Sequence, residues 1–238
     1  MKYLLSFAAA LTSAAQSPSF DVASLKPVEL TGDLYRANLG TARNGEVVLE
    51  NVTLGDCLKF AYGLSNDVQL EGPPWMHDKS IRFNIQARSA PETPRDQLLF
   101  MLQTLLTERF QLSLHHEPKT RSYLALTVGK KGLKIEPTPE GEPPSGSNNG
   151  PGHIITRRIN MPILALLLSR FLREPVVDQT ELSGPFAVKL EWQRDDDPAS
   201  GPSIYTAVQE QLGLRLESRK GRLDVLVIDH AEKTPLAN

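Results

Sequence analysis

Three neighbouring residues, His115, His116 and Glu117, form the densest group of side chains that could bind a metal ion or transfer protons. Imidazole and carboxylate groups are common zinc ligands, and imidazole also serves as a general base. Neighbouring residues of a strand point to opposite faces, so His115 and His116 cannot readily share one ion. No third ligand stands at a spacing typical of a zinc site. We therefore predict no metal site here and place the three residues in a solvated hairpin turn.

Two further groups have residue types that act in catalysis or cation binding. His230 with Asp229 could form a base and its orienting carboxylate, but no pattern ties a nucleophile to them. Asp195-Asp196-Asp197 could hold a hard cation, yet the glycine and glutamate spacing of a calcium loop is missing, which favours a solvated acidic loop. The sequence also lacks a Gly-x-Ser-x-Gly elbow, a P-loop, a His-Glu-x-x-His helix and a dinucleotide fingerprint. We therefore expect a protein that is not an enzyme and that needs no cofactor.

A proline-rich loop, Gly72-Pro73-Pro74-Trp75, has the features of a binding surface. Consecutive prolines stiffen a loop and can hold an aromatic side chain out where a partner is recognised. Pro73, Pro74 and Trp75 are therefore the predicted partner-binding residues. The alternative is that the indole of Trp75 closes the end of a hydrophobic core.

Charge and cysteine content argue against several classes of protein. The formal net charge is -2 over 238 residues, and Lys and Arg are scattered among Asp and Glu. No basic face is expected, so we predict no nucleic-acid partner. Cys57 is the only cysteine, so no intramolecular disulfide can form. Its position between Leu54 and Leu58 on an apolar helical stripe predicts a buried hydrophobic side chain rather than a nucleophile.

The N-terminus has the pattern of a secretory signal. Lys2 precedes an apolar run over residues 4–11, and Ser13 and Ala15 stand where a signal peptidase would read small residues. We predict that residues 1–15 are a removable signal peptide. The mature chain would then lie outside the cytoplasm, periplasmic or secreted, without stable membrane insertion. The alternative is a buried N-terminal helix or an uncleaved anchor.

The patterns of apolar residues predict an α+β fold. Alternating apolar and polar residues mark strands, and helical stripes follow start signals at Thr53 and Thr93. Two strands, near residues 110–114 and 124–128, are expected to form a hairpin. After a segment rich in Pro, Gly, Ser and Asn, the same order recurs and ends in a second hairpin that turns at Lys220-Gly221. Both halves thus read strand, helix, strand, helix, strand, strand.

We interpret this recurrence as an internal duplication. Asn51-Val52-Thr53-Leu54 aligns with Asn160-Met161-Pro162-Ile163, and Arg109-Phe110-Gln111-Leu112 aligns with Gly213-Leu214-Arg215-Leu216. Each half would form a small module whose helices pack on one face of a three-stranded sheet. The alternative is coincidence, since many domains alternate helices and strands. The predicted organisation is a signal peptide over 1–15, a first module over 16–135, a linker over 136–152 and a second module over 153–238.

Five segments of the second half stand in a characteristic order over a short length. They are Ile159–Ile163, Val176–Asp178, the strand that ends at Trp192, the helix that ends at Gln211–Leu214, and Asp224–Ile228. In order and size they resemble the short N-terminal domain shared by secretins and TonB-dependent receptors. The resemblance implies a small periplasmic domain that binds other proteins.

Six segments spread over the mature chain give a second resemblance. They are Phe20–Pro27, Gly72–Trp75, Arg82–Ile85, Glu108–Leu112, Pro175–Asp178 and Leu226–His230. Together they closely resemble a family of secreted proteins from soil bacteria whose function is unknown. Glu71 and Glu181 stand where that family commonly has glycine, which leaves the turn geometry at both places open. Members of the family also occur fused behind membrane-embedded metallopeptidases of the sensor-transducer type, which implies a sensing or binding role.

The expected function is therefore that of an exported binding or sensor module of the cell envelope. Its partner would be an envelope protein or peptide that contacts a sheet edge or the Trp75 loop. One alternative is a hydrolase of envelope polymer or peptide that uses His115, His116 or His230. Another is a purely structural component of a larger envelope complex.

Overall fold

A computed structural model of the protein describes residues 18–29, 37–139, 148–194, 197 and 201–237. The predicted signal peptide lies outside these residues. Strands and helices are mixed along the described chain, which confirms the predicted α+β class. The strands are β1 (Val22–Pro27), β2 (Asn38–Arg43), β3 (Glu46–Val52), β4 (Leu70–Glu71), β5 (Phe83–Arg88), β6 (Ser113–Val128), β7 (Asn148–Gly150), β8 (His153–Ile159), β9 (Val176–Asp178), β10 (Phe186–Glu191) and β11 (Leu214–His230).

Four α-helices accompany these strands in the described part of the chain. The last helix continues as a π-helical turn over Val208–Leu212. Among the described helices, none is long and apolar enough to cross a membrane. The helices are α1 (Leu54–Tyr62), α2 (Arg95–Phe110), α3 (Met161–Leu172) and α4 (Ile204–Ala207).

The described strands form three sheets. The first has the order β1-β5-β3-β2 and the second the order β10-β8-β7. The third, which we call the central sheet, has the order β4-β11-β6-β9. In the central sheet β6 and β11 run antiparallel along nearly their whole length, while the short strands β4 and β9 run parallel to their neighbours. The central sheet therefore joins the two halves of the chain.

Local start and stop signals determine where α1 begins and ends. The Asp56 amide donates to Thr53 Oγ1 (3.1 Å), and the Thr53 amide donates to Asp56 Oδ2 (3.2 Å), which is the predicted capping box. Gly63 ends the helix in the left-handed conformation, with φ 65°. Cys57 is fully buried on the inner face of this helix, as predicted.

In the described part of the chain, two hydrophobic cores lie under the helices. The first core holds α1 and α2 against the first sheet, and Phe83 meets Phe110 edge to face with ring centroids 4.9 Å apart. The second core holds α3 and α4 against the second sheet, and the rings of Phe171 and Trp192 have centroids 5.0 Å apart. The burial of Trp192 confirms its predicted place in a core.

The two predicted hairpins are wrong, because each is one continuous strand. Residues 113–128 and 214–230 pair with each other from Leu214 opposite Val128 to Val227 opposite His115. Lys220-Gly221 is therefore not a turn. A Cβ on Gly221 would come within 3.1 Å of the Tyr123 ring, so the glycine leaves room for a cross-strand aromatic side chain.

Both long strands contribute to both cores. Leu226 and Ile228 of β11 are buried in the first core, whereas Leu214 of the same strand is buried in the second. Leu124 and Leu126 of β6 are buried in the second core. Each core is therefore completed by strand segments that continue into the other half, and the predicted division into modules over 16–135 and 153–238 stays a prediction.

The halves nevertheless repeat one order of elements: strand, helix, short strand, strand, helix, long strand. When the two halves are aligned by their helix caps, the alignment differs by two residues from the one predicted from the sequence. Thr53 and Asn160 are the equivalent N-caps, and the left-handed residues Gln111 and Gly213 are the equivalent C-caps. That this likeness stems from a duplication stays a prediction.

Parts of the predicted linker belong to the second sheet. Pro137 forms a bridge with Phe186, and the Thr138 amide donates to the Pro185 carbonyl (2.8 Å). β7 pairs with β8. The middle of the segment, residues 140–147, lies outside the described residues. The polar composition of the segment predicts a loop, but at both ends its backbone groups find partners in a sheet.

The structure also resolves the two places where glutamate replaces a common glycine. Glu181 has φ 59°, the left-handed conformation that glycine adopts without steric cost. Glu71 lies in β4, so it needs no glycine. Its carboxylate pairs instead with Lys119 (2.5 Å) and Arg121, and these contacts, first the hydrogen bond from Lys119, lower the pKa of Glu71.

Candidate functional site

The Pro73-Pro74-Trp75 loop packs on the first core. It forms a short 3₁₀ helix over Pro74–His77, in which the Met76 amide donates to the Pro73 carbonyl (3.0 Å). Met76 is fully buried, and Trp75 is half-buried against the first core. This packing is what the alternative reading of Trp75 requires. Partner binding by Pro73, Pro74 and Trp75 stays a prediction.

The histidines of β6 lie in a strand and not in the predicted turn. His115 Nδ1 is 2.8 Å from Asp229 Oδ2, and His116 Nδ1 is 2.6 Å from Asp224 Oδ2. The two imidazoles are neighbours on a regular strand, so they bond to different carboxylates on opposite faces. Both side chains are about half exposed, at 49% and 50%. These pairs therefore lie on the surface and outside any enclosed cleft.

The residues considered for catalysis do not converge. His230 Nε2 contacts Glu232 Oε1 (3.2 Å), while Asp229, the expected orienting group for His230, bonds to His115. Within the described residues, no hydroxyl or thiol forms a hydrogen bond with the imidazole of His115 or His230. Burial raises the pKa of the Cys57 thiol, which keeps it protonated and unreactive.

The candidate cation sites are equally unsupported in the part of the chain that the structure covers. Its described residues contain no cluster of three or more His, Cys, Asp or Glu side chains that could hold a metal ion. Asp195 and Asp196 of the acidic loop lie outside the described residues. The amide of Asp197 donates to the carbonyl of Arg194 (3.2 Å).

In an antiparallel strand pair, alternate residues bond to the partner strand and the residues between them direct their backbone groups outward. The hydrogen bonds at the start of the β6–β11 pair show which residues of these strands point outward. The Gly129 amide donates to the Gly213 carbonyl (2.8 Å), so from there the odd-numbered residues form the hydrogen-bonded pairs of the β6–β11 ladder. Even-numbered residues then direct their N–H and C=O groups outward. The outward contact of β6 with β9 agrees, because the Leu124 amide donates to the Pro175 carbonyl (2.8 Å).

The outer edge of β6 is poorly suited to accept another strand. β9 covers residues 124–126. Pro118 lies at an even position, so its missing N–H is an outward one and costs no bond to β11. The Thr120 carbonyl accepts a contact from Arg121 Nη1 (3.4 Å). A proline in an edge strand blocks addition of a further strand.

The outer edge of β11 is open over a long stretch. β4 pairs only with Leu226 and Val227. From Leu216 to Asp224 no described residue pairs its backbone with the outward groups, and this stretch contains no proline. At about 3.3 Å per residue the free stretch spans roughly 26 Å. We call it the β11 edge; its outward residues are Leu216, Ser218, Lys220, Arg222 and Asp224.

The β11 edge is flanked mainly by cations. Glu217 is held by Arg215 (3.1 Å) and Arg219 (2.9 Å), and the hydrogen bond from Arg219, followed by the nearby positive charges, lowers the pKa of Glu217. Neither Lys220 nor Arg222 has an ion pair within the described residues. The local field therefore favours negatively charged partners.

The other outer strands offer less. β10 is capped by Gln211, whose side chain accepts from the Glu191 amide (2.9 Å) and donates to the Glu191 carbonyl (2.7 Å). β2 has an irregularity between Asn38 and Thr41, and the Gly40 amide is taken by the Asn38 side chain (3.1 Å). β1 and β7 are short strands of six and three residues.

Two adjoining cavities open at the start of the β11 edge, with volumes of about 260 Å³ and 250 Å³. They share Lys131, Gln209 and Arg215, and we call them together the Lys131 cavity. The remaining lining residues are Gly129, Lys130, Gly132, Lys134, Tyr205, Thr206, Glu210, Gly213 and Leu216.

The loop that carries these lysines is tied to the end of the π-helical turn. The Lys134 amide donates to the Leu212 carbonyl (2.9 Å). The loop passes so close to Gly213 that a Cβ there would lie 2.2 Å from the Gly132 carbonyl oxygen. Glycine is therefore required at position 213 both by its left-handed φ of 71° and by this approach.

Sequence reasoning missed this cavity. Gly129-Lys130-Lys131-Gly132 is a visible turn signal with two cations, but its role depends on Gln209 and Arg215, which are distant in the sequence. Only the pairing of β6 with β11 brings these groups together.

A comparison with protein families gives a match over residues 55–231, to the family described as "Protein of unknown function (DUF3738)". The chain belongs to this family. The part that matches the DUF3738 family begins in α1 and ends just after β11, so it includes the Trp75 loop, the β11 edge and the Lys131 cavity. No curated protein and no solved structure matches the chain.

Proposed function

We propose that this DUF3738 protein is an exported, non-catalytic binding module that accepts an extended acidic segment of an envelope protein or peptide as an added strand on the β11 edge. The observation that carries the proposal is the unpaired, proline-free stretch from Leu216 to Asp224, flanked by cations. Exposed strand edges are templates for another chain unless they are blocked.

The chemistry of the β11 edge suits this mode of recognition. The N–H and C=O groups of the outward residues would supply main-chain hydrogen bonds, which give affinity without reading sequence. Lys220 and Arg222 lie on one face of β11, and Arg215 and Arg219 lie on the other. An added strand with acidic side chains on either face would therefore meet a positive charge, and a basic strand would be repelled.

The first experiment compares two synthetic peptides on the purified full chain. (Glu-Val)₅ and (Lys-Val)₅ have the same length and β propensity but opposite charge. We expect (Glu-Val)₅ to bind with a micromolar Kd in calorimetry and (Lys-Val)₅ not to bind. Failure of the acidic peptide to bind would contradict the proposal.

A proline substitution tests whether the peptide uses the β11 edge. Ser218→Pro removes one outward N–H and no bond to β6, as Pro118 does in its own strand. Ser218→Ala keeps the N–H and is the matched control. We expect Ser218→Pro to abolish binding of (Glu-Val)₅ and Ser218→Ala to preserve it. Equal binding by both variants would place the peptide elsewhere.

Export is the second part of the proposal, and the N-terminal pattern of residues 1–15 supports it. Fractionation of cells that express the tagged chain is expected to recover it outside the cytoplasm. Sequencing of the exported protein should begin at Gln16. A full-length chain retained in the cytoplasm would contradict export without affecting the strand-addition proposal.

A hydrolase remains the rival function, favoured by the carboxylates that bond to His115, His116 and His230. Such pairs resemble an oriented base, but a nucleophile or metal would also be needed. The test is a panel of envelope peptides and glycans, with the chain in which all three histidines are alanine as control. Turnover by the wild type that this variant lacks would establish the rival.

A further inference from the structure

We propose that the Lys131 cavity binds the C-terminal carboxylate of the added strand, so that the protein selects extended segments that end a chain. This inference rests on the proposed function and adds the part of the partner that is recognised. It is carried by the position of the cavity, by its charge and by the donors that remain free in it.

The cavity lies in line with the β11 edge. Arg215 and Leu216 both line the cavity, and Leu216 is the first outward residue of the edge. A strand added antiparallel to β11 would pass Asp224 first and Leu216 last. Its C-terminus would therefore arrive at the cavity, whereas a parallel strand would bring its N-terminal amine there.

The charge of the cavity selects between these two directions. Lys131, Lys134 and Arg215 line it, and among the described residues Glu210 is the one carboxylate in the lining of the larger cavity. The balance repels an ammonium group and attracts a carboxylate. Antiparallel addition is thus the direction that places complementary charges together.

Donors for a carboxylate remain after the internal contacts are made. Lys134 Nζ donates to the Glu210 carbonyl (2.6 Å), which uses one of three ammonium hydrogens. Arg215 Nη1 contacts Glu217 (3.1 Å), which leaves other guanidinium hydrogens available. Lys131 has no hydrogen bond or ion pair within the described residues. Charge-assisted bonds to a carboxylate are among the stronger hydrogen bonds.

The cavity also limits what can follow the carboxylate. The loop over residues 129–134 passes close to Gly213, and its Lys134 amide donates to the Leu212 carbonyl (2.9 Å). We infer that the loop obstructs an added strand that continues past Leu216. An internal acidic segment would have to leave the sheet before this point. A chain end has no such continuation.

The test uses the full chain and three forms of one peptide: (Glu-Val)₅ with a free carboxylate, the same peptide with a C-terminal amide, and the peptide extended by Gly-Gly-Ser-Gly-amide. We expect amidation or extension to weaken binding roughly ten- to 100-fold, the loss of one or two charge-assisted bonds. Sodium acetate is added as a separate competitor, because a free carboxylate that displaced the peptide at low concentration would show that the anion alone is the ligand.

Variants locate the effect. In Lys131→Gln/Lys134→Gln the free and amidated peptides should bind within about twofold of each other, since two of the three cations that line the larger cavity are gone. Lys189→Gln, which removes a lysine paired with Glu191 (3.2 Å) on another sheet, is the control and should preserve the full difference. A double variant that retained the difference would overturn the cavity assignment.

The binding results distinguish a failure of carboxylate recognition from a failure of strand addition. If the free and amidated peptides bind the wild type equally and Ser218→Pro still abolishes binding, strand addition stands and carboxylate recognition is wrong. If no form of the peptide binds, the proposed function fails and the inference fails with it. Displacement by millimolar acetate would also overturn the inference, because the strand would then add nothing to recognition.

Discussion

The two outer edges of the central sheet occupy equivalent places in the two halves, yet one is closed and the other is open. Pro118 lies seven residues after the left-handed cap Gln111, and Lys220 lies seven residues after the cap Gly213. Both positions direct their backbone nitrogen outward. The β6 edge therefore carries a proline where the β11 edge carries a lysine with a free N–H.

This difference shows how one framework can protect an edge or present it. A proline removes a donor permanently, whereas a lysine discourages pairing with neutral or basic strands and permits pairing with acidic ones. The same strand pair thus has one edge that resists association with any chain and one that is selective. Substitutions in β6 and β11 can abolish this difference or make it larger.

The largest effect is expected from moving a proline by one residue. Arg219→Pro removes an inward N–H that bonds across to Tyr123, so it should lower the free energy of unfolding by about 3 kcal/mol or more. Ser218→Pro, whose N–H points outward, should cost less than about 1 kcal/mol. Urea denaturation followed by circular dichroism measures both. Similar losses of unfolding free energy for the two variants would show that the assignment of inward and outward N–H groups in β11 is wrong.

The next effect concerns charge at the β11 edge. Reversal of both unpaired cations in Lys220→Glu/Arg222→Glu should weaken binding of (Glu-Val)₅ about tenfold, because attraction becomes repulsion at exposed positions. The Kd should also depend less on salt, because Arg215 and Arg219 are then the remaining cations along the β11 edge. Lys189→Glu is the matched control and should leave the Kd unchanged. An unchanged Kd in the double variant would show that Lys220 and Arg222 do not attract the acidic peptide.

A smaller effect should follow from opening the closed edge. Pro118→Val restores the outward N–H of β6 and fits the geometry of a strand. The variant is expected to keep its stability within about 1 kcal/mol and to bind a second, weaker copy of the acidic peptide at the residues before β9. Calorimetric stoichiometry reports this directly. A stoichiometry of one would mean that Pro118 is not what closes this edge.

The smallest effect concerns Glu217 and pH. Its pKa in the folded protein is lowered, first by the hydrogen bond from Arg219, so its contribution to stability is present above its ordinary pKa and is lost as pH falls through the lowered value. The wild type should therefore lose stability relative to Glu217→Gln as pH falls below about 4.3. Thermal unfolding of both proteins from pH 7 to pH 3 checks the sign. A stability difference that does not change with pH would contradict the assignment.

Local signals predicted α1 well, whereas α2 begins after Pro94 without the side-chain cap expected from Thr93. Thr53 and Asp56 lie three residues apart, and the capping box that they form depends on nothing outside that turn. The apolar alternation around Phe83 and Phe186 likewise predicted strands with one buried face. The α+β class follows from such signals alone.

Non-local pairing is what the sequence could not reveal. Pro118 and Gly221 are typical turn residues, and only the pairing of β6 with β11 shows that each suits a long strand. The Lys131 cavity depends on the same pairing, since the lysine loop and Arg215 come from different halves. The sequence alignment of the two halves differs by two residues from the alignment by helix caps because it matched similar residue types. Which residue is a cap depends on its backbone conformation, and the sequence does not show that conformation.

Amide hydrogen exchange by NMR, resolved at single residues of β11, tests the central claim most directly. In the free protein the amides of Ser218, Lys220 and Arg222 should exchange rapidly while those of Glu217, Arg219 and Gly221 are protected. Saturating (Glu-Val)₅ should slow the first group and leave the second unchanged. Protection of both groups before the peptide is added, or no change in the first group when the peptide is bound, would contradict strand addition at the β11 edge.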